Sequence, residues 1–280
     1  MKSPLSLGYS PCPNDTYIFY GLTHGRVPLD GIELAVPELE DVESLNRRAL
    51  EHSFDITKLS FHALGHVLDE YCVLSAGSAL GRGCGPLLVA GSGFDRGDLD
   101  HARIAIPGKL TTANLLFRMF APGASHLVEM RFDEIMAAVA SGRVDAGVII
   151  HESRFTYAEQ GLVCLQDLGS WWEETSGHPI PLGCIAARRS LGREVIMEID
   201  RGIRDSIIWA DRHQEECFPY IRQYAQEMDL KVMQSHIQLY VNDFSRALGE
   251  DGLVAIESFL RRGREAGILP ELSGSMSLLP

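Results

Sequence analysis

The chain has 280 residues, of which 45% are hydrophobic and 22% charged, enough for one large globular domain or two ordinary ones. A formal net charge of -13 without any Lys/Arg-rich run argues against nucleic acid as a partner, and such acidity mainly serves solubility. No stretch reaches the roughly 18 apolar residues of a transmembrane helix, and residues 1–10 carry one lysine and no apolar segment, so no membrane partner or secretory signal is read and the cytoplasm is the expected compartment.

Short apolar runs alternate with helical patterns through the first half, the signature of an α/β fold. Residues 5–9 read as a strand, followed by the loop Ser10-Pro11-Cys12-Pro13-Asn14-Asp15 and a helix from about Thr16. A second strand is expected over 32–36, then a helix over 41–51 with Leu45 and Leu50 on one side. Residues 54–59 form a strand, and Ser60 is placed to cap a helix over 61–69. Apolar runs follow at 71–76 and 86–90. A short strand at 104–106 leads to Thr111-Thr112, which open a helix over 113–120. A helix over 133–141 feeds an apolar run from Val144 that ends on His151 inside the polar cluster His151-Glu152-Ser153-Arg154. The run 185–187 closes the middle region, and from about Gly192 the pattern is mostly helical.

Residues 53–60 echo residues 142–149: each has a polar turn, an apolar residue, an aspartate and then a strand. Two equivalent α/β lobes produce such an echo, although any two βα units share some likeness. With the runs 87–90 and 184–187 read as crossovers, the first lobe takes residues 1–92 and 188–280 and the second takes 93–187. A ligand cleft is then expected between them.

Three segments place a strand end at a helix N-terminus: Ser10 to Asp15, Lys58 to Ser60, and Lys109 to Thr112. Free N–H groups and the positive end of the dipole make each a candidate anion site, with hydroxyls at Ser10, Ser60, Thr111 and Thr112 and charge at Lys58 or Lys109. Simple N-capping is the competing account of Ser60 and Thr111. In α/β sheets ligands bind beyond the carboxyl ends of strands, where His151 stands, and an imidazole there can exchange a proton near neutral pH. A hydrogen-bonded structural histidine is the alternative.

Other features carry less chemistry. His62 and His66 lie four apart on a helix, but no third metal ligand has suitable spacing, and one wet helix face accounts for both. No metal is therefore expected. Gly81-Arg82-Gly83-Cys84-Gly85 lacks Rossmann or P-loop spacing and reads as a tight loop. Trp171-Trp172 reads as packing. The six cysteines form no C-x-x-C pair and read as reduced thiols, with Cys12 set apart by its polar loop.

Read together, Gly8-Tyr9-Ser10-Pro11-Cys12-Pro13-Asn14-Asp15-Thr16, Thr57-Lys58-Leu59-Ser60, Leu80-Gly81-Arg82-Gly83, Thr111-Thr112-Ala113 and Ile150-His151-Glu152-Ser153-Arg154-Phe155 closely resemble the MqnD-type 1,4-dihydroxy-6-naphthoate synthases of the futalosine route to menaquinone. The resemblance runs from about residue 5 to residue 260. It implies a fold like the type II periplasmic binding proteins, with two α/β lobes joined by a two-strand hinge. It implies a lyase that converts cyclic dehypoxanthine futalosine into 1,4-dihydroxy-6-naphthoate and dihydroxyacetone without a cofactor. It assigns the proton acceptor to His151 and substrate binding to Lys58, Leu59, Ser60, Thr111 and Thr112. Ser10 and Asn14, in the first string, join the substrate-binding set. No role is assigned to Cys12 or Asn242. The expected partner is a small-molecule carboxylate, and a homodimer is compatible with the sequence. Chorismate dehydratase, of the same pathway but without the His-Glu-Ser-Arg-Phe string, and a non-catalytic carboxylate-binding protein are the alternatives.

Overall fold

A computed structural model describes residues 3–225, 229–271 and 277–280. The described residues form strands β1 (Leu7–Tyr9), β2 (Glu38–Leu39), β3 (Ile56–Ser60), β4 (Tyr71–Val73), β5 (Ala79–Gly81), β6 (Leu87–Gly91), β7 (Ile104–Ile106), β8 (Leu127–Glu129), β9 (Ala146–Ile149), β10 (Leu162–Asp167) and β11 (Ile180–Arg188). They make two sheets. One runs β2-β1-β3-β11-β4, with β5 also on β11; the other runs β10-β6-β9-β7-β8.

The two sheets repeat one topology. In the first, β1 pairs parallel with β2 and β3, and β3 pairs antiparallel with β11. In the second, β7 pairs parallel with β8 and β9, and β9 pairs antiparallel with β6. The echoed segments thus supply equivalent central strands, β3 and β9. The shared aspartate does the same job in each: Asp55 accepts the N–H of Ser6, just before β1 (2.9 Å), and Asp145 accepts that of Arg103, just before β7 (2.7 Å).

The chain crosses between sheets twice, at residues 82–86 and 168–179. The runs 87–90 and 184–187 are not themselves the crossings; β6 lies in the second sheet and β11 in the first. The crossings are fastened together. Leu168 donates its N–H to Pro86 O (2.9 Å), Gly85 packs directly on Gly169, and Arg154 reaches both Gly85 O and Asp167. One apolar core continues through both halves, including Phe61, Leu88, Val148, Trp172, Ile180 and Phe259. Trp172 is fully buried against Phe259 and donates to Pro179 O, so the tryptophan pair serves packing.

Several local elements differ from expectation. The first helix is Pro13–Thr23 rather than starting at Thr16, because proline at the first helical position costs no hydrogen bond. The second strand is Glu38–Leu39; in the apolar run before it only Leu34 bridges to Leu5. Helix Val42–Leu50 buries Leu45 but leaves Leu50 exposed, since five residues turn the helix well past the buried face. The C-terminal part is helical, as Arg193–Arg212, Gln214–Tyr224, Leu230–Tyr240, Asp243–Arg246 and Gly249–Glu265. Asn242 caps Asp243–Arg246 and donates to Leu80 O (3.0 Å), tying this region to β5. No helix among the described residues is long and apolar enough to cross a membrane.

A Cβ on Gly85 would lie 2.3 Å from the Gly169 Cα, and neither backbone can yield easily. Gly85→Ala is expected to destabilise the protein by about 1–3 kcal/mol, the range for overpacking. Urea denaturation checks this, and an unchanged midpoint would contradict it.

Candidate active site

The carboxyl ends of β1 and β3, the loop after β9 and the N-terminus of helix Thr112–Phe120 converge on one cavity between the sheets. Ser10, Asn14, Lys58, Leu59, Ser60, Thr111, Thr112 and His151 all line it, as do Asp15, Tyr240 and the apolar residues Val42 and Leu182.

The polar floor is built around Asp15. Lys58 and Asp15 form a buried ion pair through Nζ and Oδ1. Ser10 Oγ donates to Asp15 Oδ2 (2.6 Å) and Asn14 Nδ2 donates to Oδ1 (2.8 Å). His236, fully buried on helix Leu230–Tyr240, lies 2.9 Å through Nε2 from Asn14 Oδ1. An amide oxygen only accepts, so this nitrogen carries the proton. Burial pushes the His236 pKa well below its ordinary value and keeps the ring neutral.

Ser60 stands at the N-cap of helix Phe61–Val67, but its side chain makes no capping bond. Its Oγ accepts instead from Asn46 Nδ2 (3.0 Å), while Asn46 Oδ1 accepts the Ser60 N–H (2.9 Å). With its lone pair engaged from behind, the Ser60 hydroxyl keeps its own proton to donate. Thr111 does cap its helix: its Oγ1 accepts from Asn114 N (3.2 Å) and donates to Gly108 O (2.8 Å). Thr112 Oγ1 donates across the cleft to Leu182 O (2.6 Å). First-turn N–H groups have no intrahelical acceptor, which makes those of Thr112 and Ala113, both on the cavity wall, natural anion donors. Lys109 is exposed and does not line the cavity.

His151 follows β9 in the left-handed region, with φ 57°. That conformation is uncommon outside glycine, though histidine is among the residues that adopt it, and it turns the side chain out of the strand's alternation. The ring is packed on three sides. Phe132 meets it edge-on (5.0 Å), His236 lies nearly parallel to it (6.0 Å, 20°), and Cys12 Sγ is 3.6 Å from Nδ1. Burial lowers the His151 pKa to about 4, so the imidazole is neutral at pH 7. The Cys12 thiol is pushed up, first by burial and then by the nearby Glu152 charge, and stays protonated.

His62 is not on a wet face. It is buried with Nδ1 3.1 Å from Thr111 O, and burial lowers its pKa to about 4; only His66 is exposed. No group of three or more His, Cys, Asp or Glu side chains suited to a metal occurs among the described residues. The sequence reading gave Asp15 no role beyond its place in the Ser10 to Asp15 segment, and it missed Asn46 and His236. Asp15 could have been found from its place in the first turn of a helix beside a lysine-bearing strand end; Asn46 and His236 gave no signal, being 14 and 222 residues from their partners.

A family profile described as menaquinone biosynthesis matches residues 5–265. A 1,4-dihydroxy-6-naphthoate synthase of Thermus thermophilus is 48% identical over 268 residues, 94% of this chain and 95% of that protein. One from Streptomyces coelicolor is 44% identical over 281 aligned residues, 99% of this chain and 98% of that protein. A crystal structure of an Archaeoglobus fulgidus protein matches with a TM-score of 0.88 at 38% identity, over 94% of this chain and 97% of that one. A Candida albicans gene product with the periplasmic binding protein fold matches with a TM-score of 0.64 at 15% identity, over 97% and 92% of the two chains, which speaks for the fold alone. The fold is the two-lobed α/β fold of the periplasmic binding proteins, and the chain belongs to the menaquinone biosynthesis family.

Proposed function

We propose that this chain is a 1,4-dihydroxy-6-naphthoate synthase, a lyase that converts cyclic dehypoxanthine futalosine into 1,4-dihydroxy-6-naphthoate and dihydroxyacetone with His151 as general base. The observation that carries the reading is a neutral imidazole facing the same cavity as the Ser60 hydroxyl and the first turn of helix Thr112–Phe120. An aryl carboxylate suits those donors. The ring system then lies along Val42 and Leu182, and the carbon that loses its proton comes to His151. Cleavage of the carbon–carbon bond is drawn forward by aromatisation, so one oriented base suffices for much of the rate. Enclosure between lobes keeps water from the reactive intermediate. The names of the Thermus and Streptomyces relatives support the same product.

Incubating the purified protein separately with cyclic dehypoxanthine futalosine and with chorismate tests the reading. Naphthoate is expected only from the first; product from chorismate, or calorimetric binding without any product, would overturn it. His151→Ala is expected to lower kcat by about 10²–10⁴ with substrate binding retained, the usual loss for a general base. Near-full activity in that variant would remove His151 from the chemistry.

The pH profile follows from the sign of the shift. The base works as neutral imidazole, so activity is retained above its pKa and lost as pH falls through it. With that pKa lowered to about 4, kcat/KM is expected to stay flat from pH 7 to 5 and fall near 4. A limb centred near 6.5, the ordinary histidine value, would contradict a desolvated base.

A further inference from the structure

The loop before helix Thr112–Phe120 is held by the opposite lobe. Glu43, on helix Val42–Leu50, is only 7% exposed. Its Oε1 accepts the Lys109 N–H (3.1 Å) and its Oε2 the Leu110 N–H (3.0 Å). Gly108 makes room for this approach. Its φ is +145°, and a Cβ there would lie 2.4 Å from Glu43 Oε2. Arg47, one turn along, contacts Glu43 Oε1 (3.2 Å) and also Glu129 on β8 of the second sheet. The buried His62 adds a contact to Thr111 O. First-lobe side chains thus engage the backbone of residues 109, 110 and 111 in succession. Glu43 itself does not line the cavity, whereas its neighbour Val42 and both threonines do.

We propose that Glu43 is a positioning residue that latches the two lobes together and holds the Thr111-Thr112 corner where it meets the substrate carboxylate. The assignment of that corner to the substrate rests on the function proposed above. Glu43 satisfies two N–H groups of a loop that would otherwise be a free anion-binding nest. The substrate carboxylate is therefore left to the Thr112 and Ala113 N–H groups and the Ser60 hydroxyl. Both bonds lie at a partly exposed loop where water can replace them, so the contact is reversible. Glu43 touches no reacting atom; it acts through the loop.

Amide hydrogen exchange of the ligand-free protein reads the latch directly and needs no assumption about the reaction. In Glu43→Ala, exchange at Lys109 and Leu110 is expected to rise about tenfold or more, as loss of a single bond to a charged group implies. Glu43→Gln keeps one acceptor and is expected to lie between the two. Steady-state kinetics with cyclic dehypoxanthine futalosine should show KM raised about tenfold in Glu43→Ala with kcat changed less than about threefold, the pattern of lost binding rather than lost chemistry. Unchanged exchange at Lys109 and Leu110 would overturn the latch. Raised exchange with unchanged KM, or a collapse of kcat at constant KM, would overturn the positioning role. If the unsubstituted protein does not turn this substrate over, the proposed function fails, and the exchange measurement still decides the latch.

Discussion

The ion pair of Lys58 with Asp15 is the constraint on which the site depends. Both charges are buried where the ends of β1 and β3 meet the first helix. Removing two charges from water is expensive, and such a pair is tolerated only when further hydrogen bonds satisfy its remaining atoms. Ser10 and Asn14 do this for Asp15, and His236 in turn fixes Asn14 from a helix more than two hundred residues away. One polar chain therefore joins two strand ends and the C-terminal helices into a rigid floor. It also sets the electrostatics of the cavity. The lysine charge is balanced within the protein, so the cavity presents the Ser60 hydroxyl and backbone dipoles more than a bare cation. That arrangement suits an acidic chain, in which affinity for an anion has to be local.

Above this floor the duplicated topology performs two different tasks. The end of β3 delivers Lys58, Leu59 and Ser60 to the cavity, while its counterpart β9 is followed by His151. The left-handed turn at His151 separates them. It takes the imidazole out of the strand's pattern and seats it between Phe132, Cys12 and His236, where burial keeps it neutral. The periplasmic binding protein fold brings such strand ends face to face, and a fold of that kind needs only a base at one of them to host chemistry as well as binding. Fastened crossings at Gly85 and Gly169 keep the two faces in register.

Much of the fold was legible because its signals are local. Alternating strand and helix patterns, the paired aspartates Asp55 and Asp145 and the cap at Thr111 all lie within a few residues of what they determine. The reading of residues 32–36 as a strand failed because an apolar run shows what can be buried and not which neighbour will pair with it. The cavity wall was legible wherever a motif is contiguous, as at Lys58 to Ser60 and Thr111-Thr112. Its supports were not. His236, Asn46 and Glu43 lie outside every contiguous motif and drew no reading from the sequence. Their meaning comes from partners brought close only by the tertiary fold. His62 misled for the same reason, since the helix that it shares with His66 gave no sign of the Thr111 carbonyl against it.

We propose that an aryl carboxylate spans the two lobes, held at one end by Ser60 Oγ and the Thr112 and Ala113 N–H groups and presented at the other to His151. A crystal structure with 1,4-dihydroxy-6-naphthoate bound tests it most directly. The carboxylate is expected within hydrogen-bond distance of Ser60 Oγ and the Thr112 or Ala113 N–H, with the hydroxylated ring about 3–3.5 Å from a His151 nitrogen, the separation of reacting atoms. A naphthoate bound with its carboxylate at His151, or outside the cavity, would contradict the account.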